Sequence, residues 1–160
     1  MTIFIALIAC LFAFCSIFAA FGPAVVGSAF GFTGSSSMFD LMLGNSNGEG
    51  RYPALSWLFC CELIIMLGII AAIVLYFLAK KEKDKSNIVL IGSAGLGALS
   101  LAGSITSFCT MQIVGVSASK GDYASIGMGA GAIITGVMLL IAFLGFVACI
   151  VLKFVKKGKK

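Results

Sequence analysis

Histidine is absent from this chain of 160 residues, and acids are scarce, with six Asp and Glu in all. No Cys-x-x-Cys pair occurs, so a zinc, haem or iron–sulfur centre has almost nothing to be built from. Enzyme chemistry fails on the same inventory. The chain has no Gly-x-Ser-x-Gly elbow, no phosphate loop and no carboxylate pair inside its apolar segments. "GMGAG" (Gly127 to Gly131) falls in an apolar segment with no strand expected before it, so it is not read as a dinucleotide fingerprint. A protein that is not an enzyme and carries no cofactor is expected. The six cysteines, Cys10, Cys15, Cys60, Cys61, Cys109 and Cys149, fall within or at the edge of apolar segments. An extracellular disulfide framework is therefore not expected, and they are read as small packing residues.

Charge of either sign is also sparse. Only 11% of residues are charged against about 25% in soluble domains, and 61% are hydrophobic against about 45–50%. Mean hydropathy is +1.16. A core of this size could not hide that much apolar surface, so the bilayer is the expected solvent. A hydrocarbon layer of about 30 Å needs about 20 apolar residues in a helix. Four stretches qualify, at residues 3–21, 54–79, 88–114 and 126–152, and only the second holds a residue of the charged types, Glu62. Strict alternation, the mark of a membrane barrel, is missing, so helices are expected. The first stretch has no Lys or Arg before it, as a signal peptide would, and is expected to be a retained span.

The remaining charges give an orientation. The inner loop 80–87 ("KKEKDK") and the basic tail 153–160 hold nine Lys against Glu82 and Asp84. The outer loops, 22–53 and 115–125, carry Asp40, Glu49, Arg51, Lys120 and Asp122, a net of −1. Lys-rich short loops stay cytoplasmic. Both termini are thus expected inside a multi-pass plasma-membrane protein, with the basic segments against anionic lipid and no nucleic-acid role. Tyr52 and Trp57 stand where an aromatic belt is expected.

Small residues mark the faces on which helices pack in lipid. Ala6, Ala9, Ala13, Ser16 and Ala20 step by 3, 4, 3, 4, and Ser93, Gly97, Ser100, Ser104 and Ser107 step by 4, 3, 4, 3. A mean step near 3.5 is the period of a left-handed seam. Gly127 with Gly131, and Ala132 with Gly136, offer pairs four apart for closer contacts. The Ser hydroxyls need no water, since each can bond the carbonyl four residues earlier. The expected fold is an all-α membrane protein, one left-handed four-transmembrane-helix bundle with a structured outer loop.

That outer loop holds an unusual stretch, Met38, Phe39, Asp40, Leu41, Met42, Leu43. Gly22-Pro23 ends the first span, and "AVVGSAFGFTG" fits one short strand or an extended run. Ser37 with Asp40 fits a capping box and Gly44 a C-cap, giving a short helix. The hexamer is read as a lid on the bundle, a lipid-lying segment or a docking patch formed by Met38, Phe39, Leu41, Met42 and Leu43. Phe39, Leu41 and Leu43 are expected to be buried.

Glu62 is a functional candidate by its depth, roughly 12 Å from the outer end of its span. Three uses stay open: a hydrogen bond to a serine of the third span, ion or proton coupling, and partner binding.

Four spans, a long first outer loop, a short second one and a Lys-rich inner loop together resemble the claudin and peripheral-myelin-protein type of tetraspan protein. The likeness is one of layout. Those families carry a Trp, a Gly-Leu-Trp and a spaced Cys pair in the first outer loop, where this chain has neither Trp nor Cys, and "WLFCC" (Trp57 to Cys61) lacks the spacing. "FDLMLG" (Phe39 to Gly44) before a polar turn also resembles small uncharacterised four-span membrane proteins of Gram-positive bacteria, and the absent loop disulfide agrees with a bacterial source. The resemblance implies a fold rather than an activity. The expected function is a membrane scaffold or interaction subunit that assembles with itself or a membrane partner. The alternative is a small oligomeric channel or transporter protomer using Glu62.

Overall fold

The structure is a computed structural model and describes residues 2–29, 32–43, 52–79, 81–114, 119–120 and 124–157. The elements follow in the order α1 (Thr2–Ala19), β1 (Pro23–Ala29), β2 (Phe32–Ser37), α2 (Met38–Leu43), α3 (Pro53–Leu78), α4 (Glu82–Phe108), α5 (Thr110–Val114), β3 (Ser119–Lys120), β4 (Ala124–Met128) and α6 (Ala130–Lys157).

Three helices are long and apolar enough to cross a membrane, within Leu55–Leu78, Asp84–Phe108 and Ala130–Val155. They make this a membrane-embedded protein. Their outward faces are as apolar as their inward ones. Phe77 is 80% exposed, and Ile91, Leu78, Leu67 and Phe154 also point away from the bundle. Helices apolar all round need lipid or protein on every side. The first segment, expected to run to Phe21, leaves the helix at Ala19. Its 18 residues span roughly 27 Å, just short of the hydrocarbon layer.

Local chemistry sets most boundaries. Pro53 opens α3, where a missing N–H costs nothing, and Tyr52 before it is extended. Helix α4 begins at Glu82, so most of the expected inner loop 80–87 is helical instead. Glu82 and Asp84 lie in its first turn, where negative charge is favoured, and Lys is a good helix former. At its other end Cys109 leaves helical geometry (φ −85°, ψ 7°), and α5 resumes at Thr110.

Helix α6 packs along both α1 and α4, α3 packs along α4, and α1 meets α3 over a smaller area. The lysine segments at 81–85 and 153–157 share one end of this bundle, and the strands lie at the other.

The strands are the main departure from the sequence reading. In place of one short strand in the first loop there is a four-stranded antiparallel sheet, in the order β2-β1-β4-β3. Its central pair joins the two connections, with Val25 opposite Met128 and Gly27 opposite Ile126. Residues 124–128, assigned to the fourth span and the second outer loop from the sequence, are strand, and the helix starts at Ala130. A strand does precede "GAG", contrary to expectation. Gly127 and Gly129 weaken any helix there, whereas β1 supplies a ladder for their backbone.

Candidate functional site

The sheet is seated on the bundle by backbone contact. Gly129 N–H donates to the Ala24 carbonyl at 2.7 Å. A Cβ on Gly129 would overlap the Pro23 carbonyl, and one on Gly131 would overlap Gly22. Only glycine admits this approach. The fusion of sheet and α6 thus rests on two residues without side chains.

Beneath the sheet, α2 plugs the end of the bundle. The capping box forms reciprocally: the Asp40 N–H donates to Ser37 Oγ (3.0 Å), and the Ser37 N–H and Oγ–H donate to Asp40 Oδ2 (3.3 and 2.7 Å). Further bonds clamp the backbone, from Met38 N–H to the Gly22 carbonyl and Phe39 N–H to the Ala20 carbonyl. Tyr52 N–H donates to the Leu41 carbonyl, and Ser56 Oγ–H to the Met42 carbonyl at 2.6 Å. The buried face is Met38, Leu41 and Met42, with both methionines fully enclosed. This corrects the expected set of Phe39, Leu41 and Leu43. Alternate residues share a face in a strand, but in a helix positions i, i+3 and i+4 do. Leu43 is 46% exposed. Phe39 is half-buried, stacked on Phe21 (4.9 Å) and edge-on to Phe59 (5.7 Å). Of the expected patch, Met38, Leu41 and Met42 are buried against the bundle, while Leu43 and part of Phe39 stay at the surface.

The small residues lie mostly inside. Ala9, Ala13 and Ser16 on α1, Ala20 just after it, Ser93, Gly97, Ser100, Ser104 and Ser107 on α4, and Gly131 and Gly136 on α6 are buried, while Ala6 is half-buried. Their hydroxyls do more than the sequence indicated. Ser104 Oγ–H donates to the Gly136 carbonyl (2.9 Å) and Ser107 Oγ–H to the Ala132 carbonyl (2.7 Å). Both cross from α4 to α6 instead of returning to their own helix. Each reaches because Gly136 or Ala132 puts little bulk between the backbones.

Glu62 is 3% exposed, and its Oε1 has no hydrogen-bond partner. Ser100 Oγ is the one other buried side-chain oxygen or nitrogen without a partner among the described residues. The two are brought to one level. Leu58 lies 3.2 Å from the Cβ position of Gly103, and Leu96 lies 2.8 Å from that of Gly68. This antiparallel register sets Glu62 and Ser100 at nearly the same depth in the bundle. The expected bond from the acid to a serine of α4 is not made. A buried polar atom without a partner costs about 1–3 kcal/mol, and this level of the bundle carries two such oxygens.

None of the six cysteines is joined in a disulfide among the described residues. Among the described residues no three His, Cys, Asp or Glu come together as a metal site. Matched against protein-family models, curated proteins and solved structures, the chain shows no similarity to any.

Proposed function

We propose that this chain is a non-enzymatic membrane scaffold or interaction subunit of tetraspan layout that assembles through the sheet carried above its bundle. In this reading α1 is a fourth span, the bundle is left-handed, and both termini face the cytoplasm of a cell whose plasma membrane holds the protein. The likeness to claudins and peripheral myelin proteins stays one of layout.

One observation carries the reading. Strand β2 pairs only with β1, so its far edge is an open row of backbone donors and acceptors among the described residues. Natural edges are blunted by charge, proline or very short strands. β2 reads "FTGSSS", six residues with neither charge nor proline, and Thr33 to Ser36 are exposed. Such an edge adds another strand through main-chain bonds. β1 and the lid hold it at one end of the molecule, which suits a docking element.

The test is disulfide crosslinking in native membranes. Thr33→Cys in a Cys-free background should give a crosslinked species, and Ser35→Lys in the same chain should abolish it while leaving the unfolding midpoint unchanged. A monomer throughout would overturn the reading.

Glu62 and Ser100 favour a second reading, an oligomeric channel or transporter protomer. A deeply placed acid without a partner is a functional group by default. Reconstituted protein would then carry a selective ion flux that Glu62→Gln abolishes. Absence of flux from the unmutated protein would remove this alternative.

A further inference from the structure

At the lysine end of the bundle the helices separate. A cavity of about 310 Å³ lies among α1, α3 and α4, lined by Ala6, Cys10, Ala72, Tyr76 and Gly92, with Phe146 of α6 also in its wall. Two features of the sequence open it. The contact of α1 with α3 is limited, and at one level Ala72 of α3 faces Gly92 of α4 among otherwise larger side chains. A Cβ on Gly92 would only just touch that of Ala72, at 3.8 Å. The walls are almost wholly apolar, so water gains few partners there. The cavity extends along α4 from Ile88 to Leu96, within a segment apolar enough to lie in the bilayer.

The end of the cavity nearest the lysines, here called its mouth, is different. Tyr76 lines the cavity, and the Lys85 ammonium lies 5.6 Å from its ring centroid. Lys153 of α6 donates to the Ser86 carbonyl in the first turns of α4, which brings a second ammonium to this end. Lys80, Lys81 and Lys83 are adjacent in sequence, and the positive end of the long α4 points the same way.

We propose that this cavity takes one acyl chain of an anionic phospholipid, whose phosphate is held by the lysines at the mouth. The occupant has to match both halves: an apolar chain at membrane depth and a negative group at the helix ends. Basic pockets at the ends of membrane helices bind anionic headgroups in this way. A neutral lipid satisfies the cavity but not the mouth. A soluble phosphate satisfies the mouth but not the cavity. The site lies at the opposite end from the β2 edge and does not rest on that edge's role.

Native mass spectrometry of the purified full chain tests this, with dioleoyl phosphatidylglycerol and dioleoyl phosphatidylcholine supplied at equal concentration. One phosphatidylglycerol should be retained per chain, with a preference of about ten-fold. Lys85→Gln with Lys153→Gln should bring the two lipids close to parity. Ala72→Phe and, separately, Ala6→Leu should fill the cavity and lower retention of phosphatidylglycerol about ten-fold, with folding checked by the unfolding midpoint without added lipid. The unmutated protein gives an independent answer. Single-chain lysophosphatidylglycerol should compete for the site, and glycerol phosphate should not. Equal retention of both lipids, competition by glycerol phosphate, or a second copy of the chain in place of lipid would each overturn the proposal.

Discussion

Gly131 of α6 and Gly22, at the exit from α1, lie backbone against backbone, so that a Cβ on Gly131 would have no room. The contact ties the entry to β1 to the start of α6, and Gly129 extends it through its bond to the Ala24 carbonyl. The small sheet is positioned by this contact.

Gly131→Ala should therefore destabilise by about 1–3 kcal/mol, as overpacking does. Gly34→Ala is the control. It lies in β2 with nothing within 4 Å of its Cβ position, and its effect should stay near zero. Unfolding in detergent by denaturant titration measures both. Equal effects would mean that the sheet is not seated through Gly131.

The cross-helix serine bonds should each contribute modestly. Ser104→Ala and Ser107→Ala remove donors that α6 carbonyls accept, and each should cost about 0.6 kcal/mol, the average for such bonds in membranes. Ser100→Ala removes an oxygen that bonds nothing and should cost nothing or stabilise. A comparable loss at all three positions in the same titration would refute this assignment.

The lid depends on its inward face. Met38→Ala should cost about 2–5 kcal/mol as a buried truncation, while Leu43→Ser on the exposed side should be nearly neutral. Ser37→Ala should cost about 1 kcal/mol through loss of the cap. Hydrogen exchange adds a direct readout: the amides of Met38 and Phe39, bonded to Gly22 and Ala20, should be protected, and fast exchange there would show that the lid is open in the membrane.

Glu62→Leu should stabilise the protein by about 1–3 kcal/mol, because it removes a buried oxygen that has no partner. A gain in stability with loss of assembly or flux would mark the acid as retained for function. Destabilisation would instead reveal a bond that the folded protein depends on.

Orientation is open to a labelling experiment. Ser35→Cys in β2 and Lys81→Cys before α4 lie at opposite ends of the molecule and both are exposed. In a Cys-free background an impermeant maleimide should reach the first from outside the cell and the second only after the membrane is opened. Labelling of Lys81→Cys in intact cells would reverse the proposed topology.

Much of this architecture is already set by the amino-acid sequence. The apolar runs specify the helices and their solvent, because transfer of each side chain into lipid is a local property. The 3.5-residue steps of Ala9, Ala13, Ser16 and of Gly97, Ser100, Ser104 mark buried faces, because small residues let helices approach wherever they recur on one side. Ser37 and Asp40 specify the start of α2, since a capping box is closed within four residues. The tertiary structure alone decides the rest. Val25 and Met128 become strand partners only when α1 and α6 lie side by side, so neither "AVVGSAFGFTG" nor "ASIGM" reads as half of one sheet. The inward turn of Met38, Leu41 and Met42 follows from where α2 meets the bundle. Ser104 and Ser107 bond α6 rather than their own helix because Gly136 and Ala132 happen to face them. Glu62 is left without a partner for the same reason: pairing across 38 residues of chain is set by the register of two packed helices, and no periodicity within either one encodes it.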